Sequence, residues 1–143
     1  MGLKQDEVDV EELLECVGDV EYIFDSITDG IKEVKIIIND IKKFNFEHLF
    51  EIIKAFEMIF TDLRTVFIDM EPCAKSNRDI MKIIAIFKGK SAKEIAERIA
   101  IDCIKNAYGV FSDVKDAINY FESGRYIDFG MKIGDILYKC FLQ

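Results

Sequence analysis

Four cysteines, Cys16, Cys73, Cys103 and Cys140, and a single histidine, His48, are the side chains of this sequence best suited to covalent or metal chemistry. Thiols can pair as disulfides, hold zinc or attack a carbonyl carbon. Spacing excludes zinc: no two cysteines stand at the short separations of a zinc knuckle, and one histidine cannot complete the ligand set. His48 has no serine or cysteine beside it in sequence to activate, so it reads as a solvent-facing residue at a helix start and not as a general base. No acid, base and nucleophile converge, and no catalytic residue, cofactor or metal is expected. Two readings of the thiols remain: disulfide staples, or four buried free thiols acting as small hydrophobes.

Weaker features read as structure. Lys88-Gly89-Lys90 with Lys93 is a solvated basic loop, not a phosphate site. The acidic run Asp6, Glu7, Asp9, Glu11 and Glu12 lacks the glycine turn of a calcium loop and suits the positive end of a helix. Gly130 and Gly134 form a G-x-x-x-G pair, which predicts close backbone packing inside a bundle. Twelve phenylalanines are more than a narrow helical seam uses, and Phe50, Phe60, Phe67, Phe87 and Phe111 fall beside the main apolar stripes. They either fill a wide four-helix core or line a cleft for an apolar ligand or a neighbouring subunit.

The elements that position these residues are helices. Val10, Leu13, Val17, Val20, Phe24, Ile27, Ile31, Val34, Ile38 and Ile41 recur at spacings of three and four, which predicts a long amphipathic helix from about Asp9 to Phe44. Asn45 is a good N-cap, and a second helix follows through Leu49, Ile52, Phe56, Ile59, Leu63, Val66 and Met70 until Glu71-Pro72 ends it. Ser76 with Asp79 opens a short helix that Gly89 closes. Ser91 with Glu94 is a stronger capping box, and the stripe from Ile95 to Phe121 predicts one continuous helix up to Ser123-Gly124. A last helix spans about Tyr126 to Phe141. The expected fold is therefore all-α, a single domain over 1–143: an antiparallel four-helix bundle of two long hairpins, about 9–71 and 92–142, joined by a short fifth helix at about 77–88.

Hairpin geometry selects a cysteine pairing. Cys16 lies 28 residues before Phe44 and Cys73 lies 28 after Asn45, so both stand about 42 Å from the turn. Cys103 lies 18 residues before Phe121 and Cys140 lies 13 after Ile127, heights of about 27 and 20 Å. The pairs Cys16 with Cys73 and Cys103 with Cys140 follow, if their side chains face each other.

Composition narrows the partners. Against 19 Lys and Arg stand 27 Asp and Glu, and the net charge of −8 disfavours nucleic acid and anionic lipid surfaces. No apolar run approaches the roughly 20 residues of a membrane span. The opening Met1-Gly2-Leu3-Lys4-Gln5-Asp6 has no signal-like apolar region, so the chain is read either as cytoplasmic with free thiols or as exported with its leader already removed.

Three stretches carry a resemblance: Cys16-Val17-Gly18-Asp19, Asp102-Cys103-Ile104, and Ser123-Gly124-Arg125-Tyr126-Ile127-Asp128-Phe129-Gly130. In these the chain resembles small secreted helical-hairpin proteins of ciliates, with cysteines near the helix ends. That resemblance implies secretion and disulfides, and it implies no activity. The expectation is a non-enzymatic, secreted or lumenal structural or protein-interaction module, partnered by protein or by itself. The alternative is a carrier of a lipid or other apolar small molecule held between the hairpins.

Overall fold

The computed structural model describes residues 27–40, 42, 44–75, 78–105 and 109–142. Among them, α1 runs over Thr28–Ile38, α2 over Leu49–Asp69, α3 over Glu71–Ala74, α4 over Arg78–Gly89, α5 over Ala92–Lys105, α6 over Val110–Glu122 and α7 over Tyr126–Phe141. A 3-10 turn at Phe46–His48 leads into α2. The described residues contain helices and no strands, as the 3-4 stripes require.

Local chemistry sets most helix ends. Asn45 accepts a bond from the Glu47 amide at 2.9 Å and so caps the 3-10 turn. Ser91 and Glu94 form a reciprocal capping box: the Glu94 amide donates to Ser91 Oγ and the Ser91 amide donates to Glu94 Oε1, each at 3.1 Å. Bonding to Ser91 also holds the exposed Glu94 carboxyl below its ordinary range. At the α6 terminus the Gly124 amide donates to Phe121 O and the Arg125 amide to Tyr120 O. Gly124 has a φ of 74°, the left-handed conformation this paired arrangement needs. Pro72 falls in the first turn of α3, where its missing N–H costs no helix bond.

Two expected long helices are shorter in the structure. α1 stops at Ile38 and not at Phe44, because Asn39 and Asp40 divert the chain and Asp40 Oδ1 accepts from the Lys42 amide at 3.1 Å. The part of the first stripe before residue 27 lies outside the described residues. The expected helix from Ser91 to Phe121 is two helices, α5 and α6, and Gly109 stands as the residue before α6 with no side-chain cap. Glycine disfavours a helix interior by about 1 kcal/mol, and the hydrophobic stripe does not outweigh that at this point.

The apolar faces enclose one core. α2 packs chiefly on α5, α6 packs on α7, and α1 lies across α2 and α6. Ion pairs tie the periphery: Lys35 to Glu122 joins α1 to α6, and Lys88 to Glu71 joins α4 to α3, both at 3.0 Å. Arg64 Nε of α2 donates to the Phe87 carbonyl at 3.0 Å, satisfying a C-terminal carbonyl of α4 with a cation.

The glycines separate contact from open space. A Cβ on Gly30 would stand 2.9 Å from Ile59 Cγ1 and 3.3 Å from Met58 Cβ, so this residue lets α1 approach α2. Among the described residues Gly130 has nothing within 4 Å of the same position, so the close packing expected from the G-x-x-x-G spacing is not made at that glycine. Gly30→Ala is expected to lower stability by about 1–2 kcal/mol, overpacking exceeding the gain in helix propensity. Gly130→Ala is expected to raise stability by about 0.5–1 kcal/mol. Urea unfolding of both variants checks the contrast, and a stabilised Gly30→Ala protein would contradict the close approach.

Candidate functional site

The α6–α7 hairpin holds the densest polar cluster among the described residues. Asp113 of α6 is only 6% exposed although it carries a carboxylate. Lys139 Nζ donates to its Oδ2 at 2.6 Å and Lys132 Nζ to its Oδ1 at 3.3 Å, both from α7. Lys132 also stands 3.7 Å from Asp116. Two lysines seven residues apart share one helix face, so a single carboxylate from the facing helix meets both. Burial works against the charge of Lys132, but the Asp113 charge and hydrogen bond, with Asp116 and Asp135, outweigh it and hold its pKa above the ordinary lysine value. Asp135 Oδ1 is buried with no hydrogen-bond partner among the described residues.

The two C-terminal thiols adjoin this cluster. Cys103 of α5 and Cys140 of α7 are buried and free, so the expected Cys103–Cys140 staple is not formed in this structure. Burial pushes the Cys103 thiol far up, and Cys140, Asp102 and Asp113 add to the shift. Burial also pushes Cys140 up, and its thiol is hydrogen-bonded to Asp102, which favours the protonated form against the pull of Arg98. Cys140 is turned to a carboxylate, and both stay as thiols. Such thiols are poor nucleophiles, because the thiolate is the attacking form. Cys73 is half-buried in α3 and is disulfide-bonded. Its expected mate, Cys16, lies outside the described residues.

The five phenylalanines read as a candidate cleft do not share one. Phe60, Phe67 and Phe87 are core residues: the Phe87 ring stacks on Phe67 at 5.0 Å and on Phe60 at 6.4 Å. Phe111 is half-buried against Phe44 at 4.9 Å, with Lys115 Nζ 5.8 Å from its centroid. Phe50 points outward, 69% exposed, with Lys54 Nζ 5.2 Å above its ring. Burial divides them because Phe60, Phe67 and Phe87 face the α2–α4 contact, whereas Phe50 occupies the outer side of α2. A void of about 20 Å3 lies among Ile31, Phe56, Phe60, Ile99, Phe129 and Ile133, so only Phe60 of the five borders it. That space is near the size of one water and far below the roughly 300 Å3 at which small-molecule pockets begin.

His48 sits half-buried in the 3-10 turn before α2. Among the described residues no three His, Cys, Asp or Glu side chains group to hold a metal ion, and no helix is long and apolar enough to cross a membrane. Sequence reading missed Asp113 with Lys132 and Lys139. The signal was present: Asp113 falls three residues after Val110 and four before Ala117, which places a carboxylate at the edge of an apolar stripe. The chain matches no protein-family model, no curated protein and no solved structure.

Proposed function

We propose that this chain is a non-enzymatic, exported protein-interaction module that works through the outer face at the start of α2. The supporting observation is the pair Phe46 and Phe50, one helical turn apart and 53% and 69% exposed. Large aromatics are strong contributors at protein interfaces and are poorly placed in water. Self-association is the form of interaction this face best suits, since Lys54 and Glu51 beside the rings can pair with their own counterparts across a two-fold axis. Light scattering is expected to give a discrete oligomer for the wild type and a monomer for the Phe46→Ser, Phe50→Ser double variant at unchanged melting temperature. A monomeric wild type at all concentrations, with no protein partner in native mass spectra of source material, would overturn this reading.

Export follows from a staple between Cys16 and Cys73. Gly30, held against Ile59, lies 14 residues after Cys16, and Ile59 lies 14 residues before Cys73. These equal counts in sequence, with Cys73 disulfide-bonded and Cys103 and Cys140 free, support Cys16 as its mate. Alkylation of denatured protein without reductant is expected to modify two cysteines, Cys103 and Cys140. Four modified thiols would remove the staple and the export reading with it. The void among Ile31, Phe56 and Ile99 is too small for a lipid and gives the carrier alternative no support.

A further inference from the structure

The outer sides of the helices are not alike. In α5 every exposed residue is charged: Lys93, Glu94, Arg98 and Lys105. The outer row of α2 is instead Phe50, Lys54, Met58, Thr61 and Thr65, all exposed at spacings of three and four, with Lys54 its single charge and Glu51 at its edge. Met58 is 47% exposed, and Phe46 in the preceding turn prolongs the row by one step. The Thr61 hydroxyl donates to the Glu57 carbonyl of its own helix at 2.8 Å, so it is satisfied without water. A helix side that stays in water is polar, and an apolar one marks a contact. The row also holds its cation at a fixed place, since Lys54 Nζ lies 5.2 Å above the Phe50 ring.

We infer that a second copy of the chain lies antiparallel along this row in one register, with Phe46 of each copy beside Met58 of the other and Phe50 beside Lys54. The inference rests on the self-association proposed above; the register, and Met58 and Lys54 as its determinants, go beyond it. Phe46, Phe50, Lys54 and Met58 are spaced by four, and two such ridges pack side by side where their helices cross at about 50°. A two-fold axis then leaves few choices. With Lys54 on the axis, two ammonium groups face each other. With Phe50 on the axis, Met58 falls level with Lys42, beyond the rings, and stays in water. With the axis midway between Phe50 and Lys54, all three apolar side chains are covered and the two ammonium groups stand a turn apart. The same register brings Lys54 of each copy within one residue of the level of Glu51 of the other, and sets it against the ring of that copy's Phe50. The order of ring, ring, cation and thioether is thus complementary to its own reverse, which favours a second copy over an unrelated partner.

Exchange of charge between copies of the full-length protein tests the register. In Lys54→Glu the new carboxylate meets Glu51 of the other copy, and in Glu51→Lys the new ammonium group meets Lys54 of the other copy. Each variant alone is expected to raise the dimer dissociation constant at least about tenfold at low salt. Mixing the two restores both contacts, because each variant carries the charge the other has lost. Native mass spectra of the mixture, with one variant isotope-labelled, are expected to show heterodimers in preference to either homodimer. Met58→Asp is expected to be monomeric in light scattering while keeping the circular dichroism spectrum of the wild type. Dimers that ignore both charge variants, a mixture without preference for the heterodimer, or a Met58→Asp protein that dimerises like the wild type would each overturn the register, and leave the Phe46 and Phe50 contact standing if the double serine variant is still monomeric. A wild type that stays monomeric at all concentrations ends both readings.

Discussion

Phe87→Ala is expected to destabilise the protein by about 3–5 kcal/mol, the range for deleting a fully buried aromatic. Phe87 is 0% exposed and its ring is stacked against Phe67 at 5.0 Å with an interplanar angle of 17°. Truncation removes the burial of the ring and leaves a cavity beside Phe60 and Phe67, which a close-packed core closes only in part. For a chain of this size the loss corresponds to a fall in melting temperature of roughly 10 °C. Phe50→Ala provides the contrast. Its ring is exposed and touches Lys54 from above, so its replacement is expected to change stability by no more than about 0.5 kcal/mol. Thermal unfolding followed by circular dichroism reads both variants. Equal effects would mean that the five phenylalanines act as one site after all.

The second large effect is expected at Asp113. Its carboxylate is buried and bonded to Lys132 and Lys139, whose side chains are 21% and 40% exposed. Because both lysines can turn toward water, Asp113→Ala loses mainly the charge-assisted bonds, about 2–3 kcal/mol. Removing the other partners is worse. Lys132→Met with Lys139→Met leaves a buried carboxylate without a counterion, and about 3–5 kcal/mol is expected to be lost. Replacing all three with apolar residues restores part of that loss, since neither charge then remains to be desolvated. Urea denaturation of the three variants checks the order, and a triple variant no more stable than the double would contradict the ion-pair account.

The same cluster gives stability a sign with pH. Lys132 titrates higher in the folded protein than in the unfolded chain, because the Asp113 charge and bond outweigh its burial. The folded state therefore binds its proton more tightly. That contribution is complete below the ordinary lysine value of about 10.4 and is lost as pH rises through the higher folded value. Wild-type stability is expected to fall more steeply in this alkaline window than that of Lys132→Met.

Helices and their ends were legible in the sequence wherever the deciding contacts are local. Ser91 with Glu94, Asn45, Pro72 and Gly124 act on amides and carbonyls within a few residues, so residue type and spacing suffice. The 3-4 stripes likewise fixed which side of each helix is buried, since period and burial are linked within a single element. Tertiary structure decided what those sides meet. It broke the Ser91–Phe121 stripe at Gly109, drew Phe60 and Phe87 into the core while Phe50 stayed in water, and turned the thiol of Cys140 to Asp102. It also made Asp113 tolerable in the interior by setting two lysines opposite it. Periodicity names a buried face but not the face opposite, and the energy of a buried phenylalanine, thiol or carboxylate depends on the atoms that face supplies.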